Sequence, residues 1–141
     1  MIESIDNIRI FFPPVIAQNK ALDSMMLKEY IQCQVLSYLS RQPDAVRMTF
    51  IGGTCLRLVH GINRFSEDLD FDCKTLDHAR FLHITDRLLT YLEKYGYRVE
   101  AKDRESKKLT AFRRSITFPE LLYLLGLSGY REQRFLLKVE T

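Results

Sequence analysis

Several absences narrow the field. No apolar run approaches the ~20 residues that a membrane helix needs, and Met1-Ile2-Glu3 opens no signal peptide. The chain has three cysteines, Cys33, Cys55 and Cys73, widely spaced and without a CxxC pair. That excludes a disulfide framework and predicts reduced thiols, serving as small buried residues of a cytoplasmic protein with no membrane partner. The histidines are His60, His78 and His83. His78 and His83 are five apart, the wrong spacing for a helical metal pair, which points to surface or helix-end roles. No Cys–His motif supports a thiol nucleophile. Glycine and proline number 6 and 4, and neither a low-complexity tract nor an internal repeat is present.

What remains is an ordinary globular composition. The 141 residues fit one domain able to bury a core, with 46% apolar and 28% charged residues. A net charge of +3 permits nucleotide or nucleic-acid partners without arguing for them.

Phe11-Phe12-Pro13-Pro14 breaks any leading helix, so residues 1–18 read as an extended arm or short turn ahead of a domain over 19–141. Lys20 to Arg41 is helical, with Leu22, Met25, Met26, Cys33 and Leu36 on one stripe and Leu27, Ile31 and Val35 beside it. So wide an apolar arc predicts burial on more than one side. Val46 to Ile51 reads as a strand ending at Gly52-Gly53. Thr54 caps a short helix, Cys55 to His60, that stops at Gly61. Leu69 to Cys73 is a second strand. Asp77 is the N-cap of a helix to Tyr95, with Phe81, Ile84, Leu88, Leu92 and Tyr95 facing the core. Strands follow at Tyr97–Arg104 and Leu109–Phe118, joined by a polar turn around Glu105-Ser106-Lys107-Lys108. Pro119 opens a short helix, Glu120 to Leu125. Arg134 to Glu140 is the last strand, with Phe135, Leu137 and Val139 on one face and Leu136, Lys138 and Glu140 on the other. The fold class is α/β: a mixed sheet with helices mainly on one face.

The chemistry concentrates in "FIGGTCLRLVHGINRFSEDLDFDC", residues 50–73. Two glycines at a strand-to-helix turn let a phosphate approach the main chain closely, and Thr54 adds a hydroxyl. Asp68 and Asp70 are two apart on a strand and leave the same face. Carboxylates so placed repel unless a cation lies between them, and Mg²⁺ is the hard, oxygen-seeking choice. Taken singly, the glycines also read as a plain turn and the carboxylates as a solvated edge-strand face. Glu67 and Asp72 are nearby charge. The cations Lys102, Arg104, Lys107, Lys108, Arg113 and Arg114 read as a solvated hairpin or an RNA-backbone contact. Arg113 and Arg114 leave opposite faces of their strand, so at most one is on the site side. Arg64 and Ser66 are better placed for phosphate contact.

Taken in order, Gly52-Gly53-Thr54, Arg57-Leu58, Gly61 and Arg64-Phe65-Ser66-Glu67-Asp68-Leu69-Asp70-Phe71 resemble the polymerase-β-like nucleotidyltransferase superfamily. More particularly, they resemble its AbiEii/AbiGii-type toxins. The resemblance implies a nucleotidyltransferase-like fold, with Asp68 and Asp70 binding two Mg²⁺ ions and Gly52, Gly53 and Thr54 holding nucleotide phosphates. It implies a third carboxylate on a later strand, by position Glu140. It implies transfer from a nucleoside triphosphate to an acceptor hydroxyl, with the 3′ end of a tRNA as a candidate acceptor. A cognate antitoxin and a role in toxin–antitoxin or phage defence follow from the same likeness. Longer members continue into a helical region with a nucleotide-binding lysine. This chain stops at Thr141, at a strand end, which points to a fragment or truncation. Two other readings stay open: a catalytically incomplete nucleotide- or protein-binding module, and a small-molecule nucleotidyltransferase.

Overall fold

The computed structural model describes residues 2–103 and 112–141. Its elements, in chain order, are helices α1 (Ile5–Arg9), α2 (Pro14–Ala17) and α3 (Asp23–Ser40), strand β1 (Thr49–Ile51), α4 (Gly52–Leu58), β2 (Leu69–Asp72), α5 (His78–Lys94), β3 (Glu100–Asp103), β4 (Arg113–Thr117), α6 (Leu121–Leu124) and β5 (Leu136–Glu140). The five strands form one sheet in the order β1-β2-β5-β4-β3. Only β2 and β5 run parallel; the other neighbours are antiparallel. The α/β mixed sheet is as the residues predict.

The sheet has two unlike faces because its strands alternate. Leu69, Phe71, Ile116, Leu137 and Val139 are buried against the helical layer, where Met26, Leu27, Ile31 and Val35 of α3 meet Phe81, Ile84, Leu88 and Leu92 of α5. Each fully buried aliphatic side chain contributes about 1.5–3 kcal/mol by leaving water. The other face carries Asp70, Arg113, Ser115, Lys138 and Glu140, all only partly covered or exposed. That face is where chemistry is possible.

Helix α3 is buried around much of its circumference, as its wide apolar arc predicts. It packs on α1 on one side and α5 on another. The arc also takes in Asp23, Glu29 and Gln32, all buried. Helix α5 starts where Asp77 accepts a 2.7 Å hydrogen bond from the Arg80 amide. It ends at Gly96, whose φ of +95° supplies the left-handed stop.

Several expectations need correction. Residues 1–18 are not an extended arm. Ser4 caps α1 by accepting from the Asn7 amide, Ile8 buries against α3, and Pro14 starts α2 at its first position, where its missing N–H costs nothing. Residues 43–47 form a 3₁₀ turn opened by Pro43, which leaves β1 only three residues. Helix α4 begins at Gly52, not Cys55, because Thr54 is not its cap. Tyr95 is 42% exposed and packs on Tyr91 instead of the core. The cysteines are not buried: Cys33 is exposed and the other two are half-covered, all as free thiols. Pro119 and Glu120 form a turn before α6, with Glu120 in the left-handed region at φ 60°. The expected polar turn at 105–108 and the start of its following strand lie outside the described residues. Among the described residues no helix is long and apolar enough to cross a membrane.

Candidate active site

The opening motif closes on itself. Gly52 leaves β1 with φ +81°, a conformation that L side chains rarely adopt. A Cβ there would lie 2.6 Å from the Asp70 Oδ2 atom. Gly53 is less confined: its Cβ would lie 2.8 Å from the Ser66 hydroxyl, which can rotate away. Gly52 is therefore required by its backbone and its close approach to Asp70, and Gly53 packs on the segment leading into that strand.

That segment is held from two sides. Thr54 is fully buried and donates its hydroxyl to the Asp68 carbonyl oxygen. The expectation that Thr54 grips a phosphate through its hydroxyl is corrected on this point: the hydroxyl is committed to the backbone, so Thr54 positions Asp68. From α3, the buried Gln32 amide donates to the carbonyls of Ser66 (2.9 Å) and Glu67 (3.0 Å). Arg57 of α4 donates to Glu29 of α3 at 2.7 Å, stacks over Phe65 at 4.6 Å and also donates to the Ile62 carbonyl. Gln32 and Glu29 went unnoticed in the sequence. Their signal was polarity inside an otherwise apolar helical arc.

Asp70 pairs in register with Glu140 across the parallel β2–β5 ladder, and with Ile51 on its other side. Asp68, two residues earlier, shares that face. The structure thus brings Asp68, Asp70 and Glu140 together, beside Gly52. Burial pushes the Glu140 carboxyl above its ordinary value, Arg113 pulls it back, and the charges of Asp68 and Asp70, with a hydrogen bond to Asp70, add to the rise. Arg113 Nε lies 2.7 Å from Glu140 Oε1. Arg113 is the one of the adjacent arginine pair that faces the site. Arg114 turns inward to Asp86, Asp103 and Thr85. Arg64 is exposed, and among the described residues no ion pair or side-chain hydrogen bond ties it to the carboxylates.

The donor set suits a hard divalent cation, since every candidate ligand is a carboxylate oxygen on one partly covered face. The arrangement is two carboxylates plus a third held by a guanidinium. Among the described residues no three His, Cys, Asp or Glu side chains already converge as a finished cation site. A cavity of 490 Å³ is lined by Ile51, Phe71, Asp72, Phe112 and Thr141 among others, which are chain neighbours of Gly52, Asp70 and Glu140 but do not include them. Another, of 580 Å³, lies in the helical layer among Phe11, Tyr30, Tyr91 and Tyr95 and contains none of the carboxylates. Neither cavity holds Asp68, Asp70, Glu140 or the glycine turn, so the carboxylates sit on an open face of the sheet and not in a pocket.

The family model "Nucleotidyl transferase AbiEii toxin, Type IV TA system" matches residues 34–140. The chain belongs to the AbiEii nucleotidyltransferase toxin family. The matched span holds the glycine turn, both aspartates and Glu140. Two solved structures share the fold of this AbiEii-family chain. One is a protein from H. pylori provisionally assigned as a nucleotidyltransferase, 23% identical, with a TM-score of 0.52 over 82% of this chain. The other is JHP933 from Helicobacter pylori, 22% identical, with a TM-score of 0.52 over 82% of this chain. The chain spans 43% and 42% of those two proteins' lengths. No curated protein matches it.

Proposed function

We propose that this AbiEii-family chain is a metal-dependent nucleotidyltransferase domain that transfers a nucleoside monophosphate from a nucleoside triphosphate to an acceptor hydroxyl. One observation carries the reading: a glycine that tolerates no Cβ is packed on Asp70, on the face that also bears Asp68 and Glu140.

The roles follow from position. Asp68 and Asp70 would hold Mg²⁺, with Glu140 as a third oxygen donor. Bound there, the metal would screen the triphosphate charge and acidify the acceptor hydroxyl. The nucleotide phosphates would lie against the main chain at Gly52 and Gly53, beside the carboxylates. Ser66, whose hydroxyl packs on Gly53, would contact phosphate there, and Arg64 at the exposed rim offers a charge to the triphosphate. In the transfer, the acceptor oxygen bonds to the α-phosphorus, the bond to the bridging oxygen breaks, and pyrophosphate leaves. The acceptor we favour is an RNA 3′ hydroxyl such as that of a tRNA, with a cytoplasmic setting and an antitoxin partner in keeping with a type IV toxin–antitoxin family. A small-molecule acceptor would give turnover with no RNA present.

The test is Asp68→Asn combined with Asp70→Asn in a labelled-NTP transfer assay on the full-length protein. Loss of transfer with retained folding is expected; unchanged transfer removes the mechanism. A second reading, nucleotide binding without turnover, is favoured by the Arg113–Glu140 pair, which occupies the third carboxylate. Calorimetric binding of Mg²⁺ and NTP with no transfer to any acceptor would select it.

A further inference from the structure

Arg113 opens β4 directly opposite Glu140 of β5, and the two side chains pair at 2.7 Å. This cross-strand pair is not needed to hold the strands together. The β4–β5 ladder continues through Arg114–Val139, Ser115–Lys138, Ile116–Leu137 and Thr117–Leu136. Beyond it, Thr141 donates its amide to the Phe112 carbonyl at 2.9 Å. The structural task on this strand belongs to Arg114, which is 8% exposed and engages both Asp86 and Asp103.

Arg113 is different in every respect. Its side chain is 42% exposed and that of Glu140 is 23% exposed. Glu140 is its one ionic partner among the described residues. A pair this open is cheap to break, because water resolvates the guanidinium at once. It also sits where Asp68 and Asp70 crowd Glu140. Asp70 lies in register beside Glu140, and Asp68 lies on the same face. Without a cation the guanidinium offsets part of their mutual repulsion. A divalent cation bringing two charges would seek the same Glu140 oxygens. Guanidinium and cation therefore compete for one carboxylate. The displaced guanidinium stays tethered to β4, on the open face, with a planar fork suited to phosphate oxygens.

We propose that Arg113 is an exchangeable counter-ion. It holds Glu140 while the cation is away and passes to the phosphate oxygens of the nucleotide when a cation takes Glu140. This rests on the nucleotidyltransferase reading above and assigns a positioning residue to it. The exchange makes cation and nucleotide binding mutually supportive: the cation frees the arginine that the nucleotide needs, and the nucleotide withdraws the arginine from the cation's ligand.

The experiment is a pair of calorimetric titrations on the full-length protein, first with Mn²⁺ alone and then with non-hydrolysable NTP analogues in saturating Mg²⁺. Arg113→Gln should bind Mn²⁺ about two- to fivefold tighter, the range of an exposed ion pair removed from competition. The same variant should bind the analogue about tenfold weaker, through loss of a charged hydrogen bond. Arg98→Gln, which removes one positive charge elsewhere, should change neither titration more than about twofold. Arg113→Lys keeps the charge without the fork, so it should fall between wild type and Arg113→Gln in both titrations. It also carries the test if the glutamine variant folds poorly. A purely structural arginine would not shift the two affinities in opposite directions. Mn²⁺ affinity that is unchanged or weaker in Arg113→Gln overturns the exchange, as does unchanged analogue affinity. Absence of Mn²⁺ binding in the wild-type protein overturns the nucleotidyltransferase reading itself, and the exchange with it.

Discussion

Arg113 and Arg114 are neighbours in the chain and opposites in the fold. Arg114 points into the helical side of the sheet, where Asp86, Asp103, Thr85 and the Leu82 carbonyl take its donors. Arg113 points to the open side and meets one carboxylate. The same contrast separates the two faces as wholes. On the helical face charges are paired, apolar side chains are sealed, and each group has its partner. On the open face three carboxylates gather, and among the described residues Arg113 is the one guanidinium paired with them. Charge on the first face fixes the sheet to α5. Charge on the second is left under-compensated, the usual condition of a site that waits for ions.

The contrast predicts that variants on the two faces fail in different ways. The double asparagine change at Asp68 and Asp70 sits at the extreme of the open face and should abolish transfer while leaving thermal unfolding little changed. Next in size, Arg114→Leu should lower unfolding stability by about 2–3 kcal/mol in urea melts. It strands two acids and Thr85, and the partial exposure of the acids keeps the loss below that of a fully buried pair. Mn²⁺ binding by the folded fraction should persist, and its loss would erase the distinction between the faces. Gly52→Ala should cost about 1–3 kcal/mol, because it combines a left-handed backbone with a collision at Asp70. It should also weaken Mn²⁺ binding, which Arg114→Leu should not.

The smallest effect is a pH slope. The folded Glu140 carboxyl titrates above its unfolded value, chiefly through burial. The folded state therefore holds that proton more tightly than the unfolded state. The stability this contributes is complete below the ordinary carboxylate range and is lost as pH rises through the raised folded value. Glu140→Gln removes the titration, so the difference in melting temperature between it and wild type should shift steadily in the variant's favour across that window. A flat difference would mean that burial, with the neighbouring aspartates, does not raise the Glu140 carboxyl.

Much of this was readable from residues because the signals were periodic. Asp68, Leu69, Asp70 and Phe71 alternate strictly, and the structure places the leucine and phenylalanine inside. Asp77 and Gly96 bracket α5 with ordinary end signals. The last strand splits into Phe135, Leu137 and Val139 inward and Lys138 and Glu140 outward, again by alternation. What escaped depends on contacts far apart in sequence. Gln32 reaches the Ser66 carbonyl across 34 positions, and nothing local to α3 announces that. Thr54 looked like a cap because threonine before a helix usually is one. Its hydroxyl instead goes to Asp68, fourteen residues on. Val46 reads as the start of a strand, but Pro43 starts a 3₁₀ turn that runs through it to Arg47. The Arg113–Glu140 pair needs the β4–β5 register, which no short-range pattern supplies.

The central claim is that the glycine turn and the carboxylate strand form one site for a cation-bound nucleotide. The most direct measurement is an amide chemical-shift map of the full-length protein titrated with Mg²⁺ and a non-hydrolysable NTP analogue. The largest shifts are predicted at Gly52, Gly53, Asp68 to Asp70 and Glu140, with the helical-layer cavity around Tyr30, Tyr91 and Tyr95 unmoved. Shifts confined to that cavity, with the glycine turn and β2 silent, would contradict the account.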